Sequence, residues 1–288
     1  MKIILTSDVE LWSWNKNFER DVRIGVLKLV ELAENEKIPV TLFISLSDKG
    51  YAQADYLENI SKLINLLKSK YVSFGIHTHC KNLPIDYSNK SDNLIDYSEE
   101  ETVKILGWYK KELEKIAGKK IYVHRAGGYH IPKLEVLNEC FKKTKIKIDS
   151  SLLFREYSRP FNLKNMREIP PATNMKYSKK RIVWSPEQMS FKEIIGFYKD
   201  AKSKTDVLVI NFHSFSVYGD LGFKKKIWYS MPKLVRLLLR PIINLQKNKM
   251  KKGKVISKTS KPSNNFVNLK RMIKFLKEDG CVFTGFNA

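Results

Sequence analysis

Short apolar runs alternate with longer amphipathic stretches along the chain. The runs predict seven β-strands, over 2–7, 40–45, 72–76, 121–123, 146–149, 207–212 and 281–284. The stretches between them carry apolar residues at a helical period and predict helices over 21–37, 55–69, 98–117, 133–143, 190–203 and 266–279. Strands that alternate with helices of this length predict βαβ units and an α/β fold. The pattern fits an open parallel sheet and a barrel equally well.

Polar side chains gather where the predicted strands end. They are Asp8 and Glu10 after the first strand, His77 and His79 after the third, Arg125 after the fourth, Asp149 at the end of the fifth and His213 after the sixth. In both kinds of parallel fold, ligands bind at the carboxyl ends of the strands. We therefore predict one polar site at this edge of the sheet.

These positions lie in five short motifs. The motifs are "LTSDVE" (5–10), "FGIHTH" (74–79), "HRAGGY" (124–129), "KIDSSL" (147–152) and "VINFHSF" (209–215). In this order they resemble the polysaccharide deacetylases, the NodB-homology domain of carbohydrate esterase family 4. The resemblance implies an irregular or partial (β/α) barrel, a divalent metal that is most often Zn²⁺, and removal of acetyl groups from amino sugars.

The resemblance also implies catalytic roles. Asp8 matches the family's general base, and Arg125 matches the arginine that orients this base and holds it ionised. His213 matches the general acid, and Asp149 matches the carboxylate that orients this histidine and favours its protonated form. Gly127 replaces a proline of the family's arginine motif.

The predicted metal ligands are Glu10 and His77, which match the family's motifs, and His79, the candidate replacement for the family's second histidine. Glu10 is one position later than the family's metal-binding carboxylate, and His79 is two residues after His77, where the family has its second histidine four residues on and this chain has Lys81. Alternate side chains of an extended segment share a face, so both imidazoles can reach one ion. The alternative is a structural His79 with a weak metal site or none.

The rest of the arginine motif is expected to border the substrate. The metal and a backbone N–H near Gly127 or Gly128 would stabilise the oxyanion formed when water attacks an acetyl carbonyl. Gly127, Gly128 and Tyr129 form the predicted substrate-binding set. The flanking His124 and His130 are expected to lie at the rim or behind the ligands.

The charge of the chain is strongly positive and concentrated near its end. The formal net charge is +23, and the segment 224–261 holds 13 lysines and arginines with no acidic residue. Part of it projects as an amphipathic helix, with predicted membrane-binding residues Trp228, Lys233, Arg236 and Arg240. We expect contact with an anionic membrane surface. An insertion packed on the barrel is the second interpretation, and nucleic acid is the weakest because no nucleic-acid-binding motif is visible.

The remaining expectations concern organisation and compartment. The chain is expected to form one domain, 1–288, containing a basic insertion and linker over 224–265, of which 247–265 reads as a mobile polar linker. Three widely spaced cysteines form no metal or disulfide pattern, and the first residues do not resemble a signal peptide, so we expect a cytoplasmic protein, peripheral on the inner membrane face.

Three functions follow from this reading. The first is a metal-dependent deacetylase of an N-acetylated sugar, in surface polysaccharide or lipid-linked glycan biosynthesis. The second keeps the fold but acts without metal on another amide or an ester. The third is an inactive carbohydrate-binding or membrane-docked accessory protein. Metal content and hydrolytic activity distinguish them.

Overall fold

Buried strands and amphipathic helices alternate along the chain. The computed structural model describes residues 1–11, 17–48, 52–157, 159–177, 182–218 and 262–286. Its strands are β1 (Lys2–Val9), β2 (Val40–Ile44), β3 (Val72–Thr78), β4 (Val123–Ala126), β5 (Ile148–Asp149), β6 (Phe161–Asn162), β7 (Arg167–Glu168), β8 (Thr173–Asn174), β9 (Ile182–Val183), β10 (Val207–His213) and β11 (Val282–Phe283). All five residues of β2 are buried, as expected for a central strand of a parallel sheet that is covered on both faces.

The helices lie between these strands. They are α1 (Gly25–Glu36), α2 (Gln53–Leu66), α3 (Glu99–Ala117), α4 (Leu134–Thr144), α5 (Phe191–Ala201) and α6 (Asn264–Glu278). Helix α3 begins with a capping box between Ser98 and Glu101 and ends at Gly118, whose φ of 64° suits glycine. A π-helical turn, Glu19–Ile24, leads into α1.

The strand order brings the carboxyl ends of the parallel strands to one edge. The order is β10-β1-β2-β3-β4-β5-β7-β6, with β11 beside the start of β1. Every pairing in it is parallel except that of β6 with β7. In these ladders Asp8 lies opposite His213, and His77 lies opposite Arg125. The polar site therefore forms along this edge.

A small apolar cluster fills the inside of the curled sheet. Its buried members are Ile4, Phe43, Val123, Ile148, Ile169, Val209 and Phe286, none of which lies on a helix. The larger core packs the helices against the other face of the strands. The guanidinium of Arg125 lies 4.1 Å from the centre of the Phe43 ring, so the inner cluster is in direct contact with the polar site.

Several predicted boundaries are wrong in ways that affect the site. Strands β1 and β3 extend to Val9 and Thr78, so Asp8 and His77 lie within strands rather than after them. Strand β4 begins where the predicted strand 121–123 ends, which places Arg125 inside it. No strand is predicted between the strand 146–149 and the helix 190–203, but the structure has four strands of two residues each there. Such short strands have no detectable period.

The predicted membrane segment lies almost entirely outside the described residues. Trp228, Lys233, Arg236 and Arg240 are all outside them. The described end of the predicted linker, 262–265, is not a linker, because Ser263 caps α6 and the helix begins at Asn264. Within the part of the chain that the structure describes, no helix has both the length and the apolar character needed to cross a membrane.

Candidate active site

A carboxylate and two imidazoles meet at the end of β3. Glu10 Oε2 lies 2.8 Å from His79 Nε2 and 3.6 Å from His77 Nε2. One potential ligand atom from each of the three side chains lies within 4.8 Å of the other two. His77 is on β3 and His79 follows it by two residues, so both rings face Glu10, as the extended chain predicts.

The outer nitrogen of each imidazole is held by an oxygen atom. His77 Nδ1 lies 3.2 Å from the carbonyl oxygen of Arg125, and His79 Nδ1 lies 3.2 Å from Asp92 Oδ2. The Tyr109 hydroxyl also accepts a hydrogen bond from His79 N, at 3.1 Å, and donates to His79 O, at 2.8 Å. Both Nε2 atoms can therefore serve as ligands while each Nδ1–H is donated to an oxygen, the usual arrangement around metal-binding histidines.

The charges of these groups are strongly coupled. Burial alone would raise the pKa of Glu10, but its hydrogen bonds with His77 and His79 hold that pKa well below its usual range. Burial would lower the pKa of His79, but Asp92 and Glu10 raise it to about 10. Two imidazole nitrogens and one carboxylate oxygen form a donor set that suits Zn²⁺ or a similar divalent cation. The residues thus fit the metal that the motifs imply.

Asp8 lies beside this donor set, with both carboxylate oxygens bonded. Arg125 Nη1 donates to Asp8 Oδ1, and Asn211 Nδ2 donates to Asp8 Oδ2, each at 2.8 Å. Arg125 is fully buried and also donates to Ser150 and Thr6. Burial alone would raise the pKa of Asp8, but the Arg125 guanidinium leaves it below the usual value. Asp8 is therefore ionised.

His213 ends β10 and faces the two carboxylates. Its Nε2 lies 3.5 Å from Glu10 Oε1 and 3.9 Å from Asp8 Oδ2. Its Nδ1 lies 2.7 Å from Glu187 Oε2, and its backbone N–H donates to Glu187 Oε1 at 2.5 Å. Burial would lower the pKa of His213, but Glu187 raises it to about 9. The ring is therefore protonated at neutral pH.

The predicted pairing of Asp149 with His213 is wrong. Asp149 Oδ1 lies 2.7 Å from His124 Nδ1, and these residues are in register on the neighbouring strands β5 and β4. His213 is on β10, which lies five places away from β5 in the sheet, and its carboxylate partner is Glu187. His124, expected at the rim or behind the ligands, is fully buried, with Nε2 2.9 Å from Thr78 Oγ1.

The loop after β4 passes close to the metal-ligand candidates. A Cβ atom on Gly127 would lie 2.7 Å from both His79 Cε1 and the Thr78 carbonyl oxygen, so only glycine fits there. Gly128 and Tyr129 then adopt positive φ values, 60° and 63°. The Tyr129 hydroxyl accepts a hydrogen bond from Asn211 Nδ2 at 2.5 Å. The predicted substrate-binding loop thus lies between His79 and Asn211.

Three residues of the site were not predicted. Asn211 is a polar residue inside the apolar run "VLVINF", two positions before His213, so the two-residue period of a strand could have placed it on the same face. Glu187 and Asp92 belong to irregular polar segments. Nothing in their local sequence distinguishes them from the other carboxylates of the chain.

The described chain superposes on solved structures along nearly its whole length. A probable polysaccharide deacetylase from Pseudomonas aeruginosa PAO1 gives a TM-score of 0.54 at 12% identity, covering 99% of this chain and 87% of that one. An allantoinase gives 0.53 at 11% identity, covering 99% and 87%. A mutant carbohydrate esterase family 4 pseudoenzyme with restored enzymatic activity gives 0.50 at 9% identity, covering 99% and 66%.

These likenesses establish the fold. The chain has the partial-barrel fold of the polysaccharide deacetylases, and the fold predicted from the motifs is confirmed. No protein-family model matches the sequence, and no curated protein sequence matches it either. Because an allantoinase shares the fold, the fold alone does not determine the chemistry, which depends on the residues of the site.

Proposed function

We propose that this chain, which has the fold of the polysaccharide deacetylases, is a metal-dependent hydrolase that removes the acetyl group from an N-acetylated sugar. The observation that carries the proposal is the grouping of a metal-binding set, an ionised carboxylate and a protonated imidazole around Glu10. His77 and His79 approach Glu10 Oε2, and His213 approaches both Glu10 Oε1 and Asp8. Metal-assisted amide hydrolysis uses these three kinds of group together.

Glu10, His77 and His79 would hold the metal. When bound, a divalent cation supplies a Lewis acid that polarises the acyl carbonyl and makes water more acidic. The N–H groups of both histidines at Nδ1 are directed to oxygen atoms of Arg125 and Asp92, so the rings keep one tautomer and one orientation.

Asp8 is the general base in the proposed reaction. Its carboxylate is kept ionised and fixed in place by Arg125 and Asn211, and it accepts a proton from the water that attacks the acetyl carbonyl. His213 is the general acid. Held protonated by Glu187, it gives a proton to the sugar nitrogen as the carbon–nitrogen bond breaks, because an unprotonated amide nitrogen is a poor leaving group. Each proton transfer is typically worth about 10²- to 10⁴-fold in rate.

The cellular setting is a separate part of the proposal. We propose one domain over 1–288, a cytoplasmic location on the inner membrane face and a lipid-linked or surface-polysaccharide substrate. Support comes from the 13 basic residues in the segment 224–261, which favour an anionic surface. Full-length protein should sediment with phosphatidylglycerol vesicles and not with phosphatidylcholine vesicles. Equal recovery with both kinds of vesicle would contradict the proposed contact with an anionic membrane.

The test of the function is acetate release from N-acetylglucosamine oligomers, together with the metal content of the protein. We expect about one zinc or similar ion per chain, loss of activity on chelation, and recovery on adding metal back. Allantoin is the control substrate, since an allantoinase shares the fold. An Asp8→Asn variant should keep its metal and lose turnover, with a lower melting temperature because the buried Arg125 loses its charge partner. Retained turnover would show that Asp8 is not the base.

A further inference from the structure

Asn211 joins the proposed base to the loop after β4. Its amide Nδ2 donates to Asp8 Oδ2 at 2.8 Å and to the Tyr129 hydroxyl oxygen at 2.5 Å. Its Oδ1 accepts from Arg125 Nη1 at 3.0 Å. The opposite amide orientation would place the Asn211 oxygen against the Asp8 carboxylate and its NH₂ group against a guanidinium. The charges of Asp8 and Arg125 therefore fix which atom faces Tyr129.

This geometry leaves one donor at the site unused. The Tyr129 oxygen accepts from Asn211, and among the described residues its own O–H has no acceptor. The hydroxyl stays protonated, because burial and the nearby Asp8 carboxylate raise the pKa of Tyr129. Tyr129 is half-buried, so the residue is partly open to a bound molecule.

The backbone holds this hydroxyl in place at a conformational cost. Tyr129 has a φ of 63°, a left-handed conformation that is unfavourable for a bulky side chain. Such strained residues occur preferentially at functional sites. The same loop passes against His79 at Gly127, so Tyr129 lies between the metal-ligand candidates and the base.

We propose that Tyr129 is a catalytic residue whose hydroxyl donates a hydrogen bond to the carbonyl oxygen of the acetyl group under attack. This inference rests on the proposed deacetylation. Negative charge develops on that oxygen as water adds to the carbonyl carbon, so a fixed O–H donor stabilises the transition state more than the substrate. No covalent bond to Tyr129 forms, and its proton stays on the phenol. Asn211 acts through Tyr129 and Asp8 and is a positioning residue.

The test is the Tyr129→Phe variant, with Tyr157→Phe as the matched control. Tyr157 also carries a bonded hydroxyl, but its acceptors are Phe197 O and Asp200 Oδ2, away from the site. With triacetylchitotriose as substrate, Tyr129→Phe should lower kcat by about 10²-fold, as loss of one oxyanion donor does, with KM within about twofold. Metal content should be unchanged, and Tyr157→Phe should keep its kcat. A rise in KM at unchanged kcat would overturn the inference, because the hydroxyl would then contact only the ground state.

A second measurement does not depend on turnover. Triacetylchitotriose binding is followed by ultraviolet difference absorption, in which a phenol that donates to a carbonyl oxygen gives a red-shifted signal. We expect this signal in the parent and in Tyr157→Phe, and its loss in Tyr129→Phe. If the parent protein releases no acetate, the proposed function fails, and this signal decides the role of Tyr129 separately. No signal in the parent, or the same signal in Tyr129→Phe, would overturn the inference.

Discussion

Glu187 accepts two hydrogen bonds from His213, one from the ring and one from the backbone N–H. The double contact fixes both the tautomer and the orientation of the imidazole, so Nε2 faces Asp8 and Glu10. A carboxylate that holds a general acid in this way should control the pH range in which the acid keeps its proton.

The first prediction is that Glu187→Gln moves the alkaline limb of the pH–kcat profile to lower pH. Glu187 raises the pKa of His213, and catalysis requires the protonated ring, so removing the carboxylate lets His213 lose its proton at lower pH. The measurement is kcat for acetate release from pH 5 to pH 10. Asp200→Asn is the control, since Asp200 is bonded to Tyr157, away from His213. An alkaline limb that stays in place would contradict the role of Glu187.

The comparison of His213 with Asp149 shows what the sequence can and cannot predict. Both residues end strands, and their strand-end positions are visible as polar residues after apolar runs. Their pairing depends on the strand order, which places β5 beside β4 and far from β10. Hydrophobic periodicity identifies strands but not their neighbours, so the assignment of Asp149 to His213 rested on the family pattern alone.

By contrast, the sequence does predict the grouping of Glu10, His77 and His79. His77 and His79 are only two residues apart, at the end of one strand, and Glu10 follows another strand. Parallel strands place their carboxyl ends at one edge of the sheet in any strand order, so the two motifs meet there. Glu187 lies in the segment 153–190, where two-residue strands have no period and a turn sets its position. Its contact with His213 could come only from the three-dimensional structure.

The second prediction concerns Asp92, which lies 3.2 Å from His79 Nδ1. Asp92→Asn should weaken zinc binding by about 10- to 100-fold, because the carboxylate orients the ring and increases the basicity of Nε2. The measurement is a competition titration against a zinc-binding dye, which needs no substrate. Asp96→Asn is the matched control from the same loop, where Asp96 accepts a hydrogen bond from Ser91. Equal zinc affinity in Asp92→Asn and the parent would contradict this role.

The third prediction concerns stability and comes from a buried carboxyl pair. In the described part of the chain, neither Asp149 Oδ2 nor Glu168 Oε2 has a hydrogen-bond partner. A donor exists only if one of the two carboxyl groups keeps its proton. Burial and the Asp149 charge raise the pKa of Glu168 well above its ordinary 4.5. The stability that protonated Glu168 contributes is fully present below about pH 4.5 and is lost as pH rises through the folded-state pKa.

Glu168→Gln replaces the protonated acid by a neutral amide and should remove this pH dependence. The variant should therefore gain stability relative to the parent as pH rises from 5 to 9, by up to about 1.4 kcal/mol per pH unit until Glu168 ionises in the folded state. Urea unfolding at pH 5, 7 and 9 measures the difference. Glu135→Gln, at an exposed position of α4, is the control. A constant difference between Glu168→Gln and the parent across this range would show that Glu168 is ionised in the folded protein.

The last prediction tests the close approach of the loop after β4 to the metal ligands. Gly127→Ala would place a Cβ atom 2.7 Å from His79 Cε1 and from the Thr78 carbonyl oxygen, and the backbone oxygen cannot move away easily. The imidazole must then shift, so zinc affinity and kcat should both fall at least tenfold. Gly107→Ala is the control, because a Cβ atom there meets nothing within 4 Å on α3 and should stabilise the helix by about 0.5–1 kcal/mol. Zinc titration measures the metal affinity of both variants, and thermal melting measures their stability. A Gly127→Ala protein with the parent's zinc affinity would mean that His79 does not need its present position to bind the ion.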